Sequence, residues 1–196
     1  MRTTQLLTVN GHVARRYWEL YEEAFSGLRT MSPCRQFLTE AEFHEEMADE
    51  RIIKFVLWDG EDPVALMLVA RDLAAVPWIS PDYFATRYPE HYASGRIYYV
   101  GALLTAPHER RAGNANRLML ELARFIGERK AIMAYDCGGL NAEFLPAIIR
   151  QVAGETGEYR EDKLDAQHYY AVEGLRLHSR RRRFVRGATP AVPAEA

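Results

Sequence analysis

Apolar residues recur along this chain with two different periods. Ala14, Tyr17, Trp18, Tyr21, Ala24 and Phe25 fall on one face of a helix that opens after Asn10 and closes at Gly27. Residues 6–9 before it read as a first strand. Thr39-Glu40-Ala41-Glu42 has the form of a capping box, with Leu38 and Phe43 placed as its hydrophobic staple, and predicts a second helix to about Ala48. Residues 52–58 and 63–71 are apolar runs of strand length joined at Asp59-Gly60, a hairpin signature. Residues 96–105 form another strand, apolar on both faces as in a sheet covered on both sides, and Pro107 stops it. Ala115, Leu118, Leu122, Phe125 and Ile126 return to helical spacing, and residues 131–136 read as a buried strand ending in the turn Cys137-Gly138-Gly139. A helix from Asn141 turns Phe144, Leu145, Ile148, Ile149 and Val152 inward, with Pro146 in its first turns. Residues 155–160 and 166–173 supply two last strands.

This order predicts an α/β (α+β) fold, with a mixed central sheet of about six to seven strands flanked by about four helices. Residues 72–95 interrupt it. They are too long for a hairpin connection and carry Trp78, Tyr83, Phe84, Tyr88 and Tyr92 among three prolines, with a helix start at Ser80-Pro81. Two readings of this insertion stand side by side: a lid or pocket wall, and a satellite apolar cluster plugging one side of the sheet.

Candidate chemistry concentrates between the 96–105 strand and the helix after it. The turn His108-Glu109-Arg110-Arg111-Ala112-Gly113-Asn114-Ala115 leads into a helix whose first N–H groups lack acceptors and carry the positive end of the helix dipole. Gly113 and Ala115 keep side chains out of the way of a phosphate, and Arg110 and Arg111 add fixed charge. No Gly-Lys-Ser/Thr phosphate loop and no Gly-x-Gly-x-x-Gly occurs in the chain.

The run Arg110-x-x-Gly113-x-Ala115, after a strand and before a helix, resembles the acyl-CoA pyrophosphate loop of the GNAT superfamily of N-acyltransferases. The resemblance spans roughly residues 3–174 in element order, although the phosphate loop alone is specific. It implies acetyl-CoA or another acyl-CoA as donor, bound by Arg110, Arg111, Ala112, Gly113, Asn114, Ala115 and Asn116. The backbone of Leu103, Leu104 and Thr105 would pair with the pantetheine arm, and Asn141 would contact the donor from the following helix. It further implies that Arg29, Arg35 and Gln36 border the acceptor. Gly101 marks a bulge that would turn an N–H toward a developing oxyanion.

The chain also departs from that family. Ile148 stands where many relatives have a Tyr that protonates the leaving thiolate, and Gly101 where many have a Glu that activates the amine. Tyr99 and Asp136 are the substitute catalytic candidates by position, with His168, Tyr169, Tyr170 and Glu173 behind them. A catalytically silent acyl-CoA-binding module is therefore one alternative. A long-chain N-acyltransferase, fed by acyl-CoA or an acyl carrier protein, is another.

Composition narrows this further. A chain of 196 residues that is 48% hydrophobic and 27% charged fits one domain, here 1–175, followed by a tail at 176–196. Six arginines between Arg176 and Arg186 hold much of the positive charge; without them the formal −2 becomes −8. Such a run admits a nucleic-acid or acidic partner, while 189–196 reads as disordered. The expected acceptor is a small-molecule or protein amine, with a homodimer as one assembly. No apolar run is long enough to span a bilayer, and the expected location is cytoplasmic. Two cysteines, Cys34 and Cys137, do not make a disulfide scaffold, and the six histidines show no metal-ligand spacing, so no metal is expected.

Overall fold

The computed structural model describes residues 1–31, 38–106, 113–171 and 173. Met1–Asp162 form one unit, and Lys163–Ala196 a second of which 163–171 and 173 are described. In the first unit five strands lie side by side in chain order: β1 (Arg2–Leu6), β2 (Ile52–Asp59), β3 (Asp62–Ala70), β4 (Ile97–Thr105) and β5 (Ile132–Tyr135). The first four run antiparallel and β5 runs parallel to β4. The long helices are α1 (Gly11–Phe25), α2 (Glu40–Ala48), α5 (Asn114–Glu128) and α6 (Phe144–Thr156). Two short ones, α3 (Pro81–Arg87) and α4 (Pro89–Ala93), lie in the insertion.

Each face of the sheet has its own core because alternate residues of a strand point opposite ways. Val56, Leu66 and Leu68 pack with Tyr17, Trp18 and Tyr21 of α1 and Phe43 and Met47 of α2. Phe55, Met67 and Val69 pack with Leu118, Leu122 and Phe125 of α5 and Ile149 and Val152 of α6. The capping box forms as its sequence predicts: Thr39 Oγ1 accepts from Glu42 N–H, and Glu42 Oε2 accepts from Thr39 N–H at 2.8 Å. Leu73, Val76 and Phe84 from the insertion are buried against the α1/α2 face, so part of that segment is core.

The structure corrects the sequence reading in four places. The first strand is Arg2–Leu6, paired along its length with β2, whereas Val9 is buried beyond it and donates to Met47 O at 2.8 Å. The sheet has five strands, and no strand follows β5 among the described residues. Residues 155–156 still belong to α6. Beyond them Glu161 and Asp162 engage Arg150 and Arg87 as ion pairs in place of a ladder, and no strand forms among the described residues at 166–173. The last helix starts at Phe144, three residues after Asn141. Pro146 explains this, since a proline lacks the N–H that a helix interior needs but is tolerated in the first turn. Phe144, expected inward, is 68% exposed at that new end. No helix among the described residues is long and apolar enough to cross a membrane.

Lys54 is the buried charge of this fold. Its ammonium donates to the carbonyls of Leu7, Asp49 and Ile52 at 2.8, 2.7 and 2.8 Å, so it ties β1's exit and the end of α2 to β2. Burial pushes it down to about 8, opposed by the charges of Asp49 and Glu46, and it remains a cation at neutral pH. Lys54→Met keeps most of the stem but strands three carbonyls. We expect it to lower the unfolding free energy by about 3 kcal/mol in urea titration, and an unchanged midpoint would contradict that role.

Candidate active site

The candidate site lies where β4 and β5 part. Their pairing runs from Ile97↔Ile132 to Val100↔Tyr135 and stops there, while β4 continues to Thr105 against β3. On the β3 side, Leu68 pairs with Ala102 and Val69 with Val100, so Gly101 is an extra residue, the bulge its sequence position suggests. Residues 101–105 thus carry main-chain groups on the β5 side that no described strand pairs. Leu103, Leu104 and Thr105 all lie in this stretch.

Helix α5 begins with its N-cap Gly113 in the left-handed region, at φ 72° and ψ 18°, where glycine is favoured. The first turn contains no acidic residue, and Arg117 N–H donates to Gly113 O at 3.1 Å, so Ala115 and Asn116 precede the helix ladder. Asn114 is buried there, with Ala115 and Asn116 half-buried. Arg110, Arg111 and Ala112 lie outside the described residues, as do Arg35 and Gln36. Asn141 is half-buried in a 3-10 turn, Gly139–Asn141, with its N–H on Gly138 O at 2.9 Å. It precedes α6 and does not open it.

Tyr99 and Asp136, far apart in sequence, come together. The Tyr99 hydroxyl donates to Asp136 Oδ1 at 2.5 Å, and Trp78 Nε1 donates to the same oxygen at 3.3 Å. Burial raises the Tyr99 phenol above its ordinary range, and the bond to Asp136 and that residue's charge raise it further. It is therefore a hydroxyl donor at any working pH. Neighbouring Cys137 is also pushed up by burial and by Asp136, which disfavours a thiolate nucleophile. Among the described residues no group of three or more His, Cys, Asp or Glu side chains is arranged to hold a metal ion.

Trp78 also leads to a feature that the sequence reading missed. Two of its ring carbons lie 3.9 and 4.0 Å from where a Cβ on Gly101 would stand, ordinary contact distance, so the indole packs over that bulge. Trp78 and Gly101 share a small, solvent-open recess of about 10 Å³, room for one water-sized group, with Leu68 and Glu46. The Glu46 carboxylate makes no hydrogen bond or ion pair among the described residues. Lys54 could offer one, but its three N–H bonds are already spent on carbonyls. Burial pushes the Glu46 carboxyl up to about 7; the Lys54 charge opposes this, and Glu42 and Asp49 add to it.

No family model matches the chain, and no curated protein matches it in sequence. Solved structures do match in shape. An aminoglycoside antibiotic 6'-N-acetyltransferase from Acinetobacter haemolyticus superposes with a TM-score of 0.52 at 13% identity, covering 88% of this chain and 100% of that one. GCN5 of Tetrahymena gives 0.52 at 10% identity over 76% of this chain and 78% of its own. The ribosomal-protein-S18-alanine N-acetyltransferase of Escherichia coli gives 0.51 at 13%, over 77% and 76%. The chain has the GNAT fold.

Within the GNAT fold the parting of β4 and β5 gains its meaning from what the sequence lacks there. Gly101 offers no carboxylate, and Ile148, packed with the α5/α6 core, offers no hydroxyl. Of the residues that line the recess beside Gly101, Glu46 carries a carboxylate. A sequence signal for it existed: Phe43, Glu46 and Met47 are at i, i+3 and i+4, so the glutamate flanks the buried stripe of α2.

The raised carboxyl has a thermodynamic signature. The folded state binds the Glu46 proton more tightly than the unfolded chain, so its contribution to stability is full below about pH 4.5 and lost as pH rises to about 7. Glu46→Gln should therefore be more stable than the parent by about 1–3 kcal/mol at pH 8, with the gap closing by about pH 4.5. Chemical denaturation at several pH values reads this, and a gap that does not depend on pH would refute the shift.

Proposed function

We propose that this protein transfers an acyl group, acetyl in the simplest case, from acyl-CoA to an amine. The observation that carries the reading is the unpaired stretch of β4 beyond the Gly101 bulge, ending near the start of α5. An extended thioester arm can add to residues 103–105 as a strand would. The first turn of α5, with Gly113, Asn114, Ala115 and Asn116, suits a pyrophosphate at a helix N-terminus; the sequence adds Arg110, Arg111 and Ala112 beside it. Asn141 stands in the turn after β5 as a further contact for the donor. Structures of the same fold named as N-acetyltransferases support this reaction class.

In this reading the amine nitrogen attacks the thioester carbonyl carbon, the C–S bond breaks and the thiol leaves. A main-chain N–H at the bulge suits the developing oxyanion. The Tyr99 hydroxyl, which donates its one proton to Asp136 where β4 and β5 part, turns that proton from the carboxylate to the leaving sulfur as the C–S bond breaks. The acceptor is a small molecule or a protein amine. An acyl carrier protein could present the same thioester arm.

Two measurements check this. Calorimetric titration should show acetyl-CoA binding to the parent and a loss of at least about tenfold in an Arg110→Ala, Arg111→Ala variant. Parent protein that binds neither acetyl-CoA nor a longer acyl-CoA would refute a CoA donor. With a reactive amine, Tyr99→Phe and Asp136→Asn should each lower kcat about tenfold or more while leaving acetyl-CoA affinity unchanged. Unchanged kcat in both would remove the pair from the mechanism, and binding without thiol release would indicate a silent acyl-CoA module.

A further inference from the structure

An acceptor amine arrives as an ammonium and must lose a proton before it can attack. The fold reserves no carboxylate for this at position 101, where the Trp78 indole lies over the glycine. We propose that the recess between α2, Trp78 and the β4 bulge seats the acceptor's ammonium, and that the Glu46 carboxylate takes its proton. This rests on the acyltransfer reading above.

Three observations converge on it. First, Glu46 and Gly101 are walls of the same recess, so the glutamate stands beside the segment of β4 where the strands part. Second, the carboxylate has no hydrogen-bond partner among the described residues, although its residue is half-buried. A structural carboxylate in that position would have been satisfied by Lys54, whose donors are all directed elsewhere. A half-buried carboxylate without a protein donor at the edge of a recess is a site for a cation that arrives with the substrate. Third, Trp78 lines the recess and is held by its N–H on Asp136, presenting an aromatic surface to that cation.

The proton balance is simple. The ammonium gives one proton to Glu46 and becomes a nucleophile; its nitrogen bonds to the thioester carbon, the C–S bond breaks, and the nitrogen's second proton goes with the departing sulfur as thiol. The proton on Glu46 then leaves to solvent. The charged groups acting on Glu46 are Lys54 from β2, Glu42 on its own helix and Asp49 at that helix's end. Burial against them sets its carboxyl at about 7, where a base is half-available at neutral pH and fully available above it.

The test uses the full chain and two readouts. Carboxyl-carbon NMR, with Glu46 assigned by its loss in Glu46→Gln, follows the titration of that group with ethylammonium chloride or with sodium chloride at equal ionic strength. Thiol release from acetyl-CoA with ethylamine, spermidine or tobramycin is measured in both proteins across pH, alongside calorimetric acetyl-CoA affinity. We expect ethylammonium, and not sodium, to lower the Glu46 titration midpoint. We also expect Glu46→Gln to keep its acetyl-CoA affinity, lose about 100-fold in kcat/KM and lose the acidic limb of the pH profile. A Glu46 titration indifferent to ethylammonium overturns the proposal, as does a variant with the parent's rate and limb. If Glu46 answers to ethylammonium but the parent binds no acyl-CoA, the ammonium site stands and the acyltransfer reading falls. Silence of both readouts overturns both.

Discussion

One extra residue in β4 sets the geometry on which the candidate site depends. Between Val100 and Ala102 the strand carries Gly101, which β3 leaves without a partner, and at the same point β5 ceases to pair. A regular strand here would have kept β4 and β5 in register to the end, with no open edge. The bulge and the short β5 together leave five residues of main chain available to a ligand, at a place both faces of which are held by packed helices. The Trp78 indole lies in ordinary van der Waals distance of the place a Cβ on Gly101 would take, so the ring packs over the bulge.

Lys54, buried, and Glu46, half-buried, behave in opposite ways, and the contrast separates scaffold from proposed site. Lys54 is fully buried with all three donors satisfied by carbonyls, which makes it a clamp between β1, α2 and β2. Glu46 is half-buried, with no hydrogen-bond donor to its carboxylate among the described residues. Hydrogen-bonded burial stabilises a fold, whereas unsatisfied burial destabilises it and persists where a ligand supplies the missing partner.

Much of the fold was legible because its signals are local. Thr39 and Glu42 form their capping box, Asp59-Gly60 closes the hairpin, Ser80 caps the helix that Pro81 begins, and Gly113 takes the left-handed cap conformation. The bulge at Gly101 was readable from a glycine within an apolar strand. What failed depended on distant partners. An edge strand at Arg2–Leu6 is fixed by its ladder with β2 more than by its own pattern, and of the segments expected as final strands, 155–156 finish α6 and the described residues of 166–173 form no strand. Tyr99 and Asp136 could be listed together as candidates, but their direct bond is a product of the parallel β4/β5 register. The sequence marks Glu46 only as flanking the buried stripe of α2, because its place beside Gly101 arises only when α2 packs on the sheet.

Hydrogen exchange with and without acetyl-CoA tests the central claim most directly. If the donor lies along the open edge of β4, exchange should slow at alternate amides within residues 101–105, those facing away from β3, and at Ala115 and Asn116, while β2 stays as it was. Protection absent from both segments, or confined to other parts of the sheet, would contradict the account.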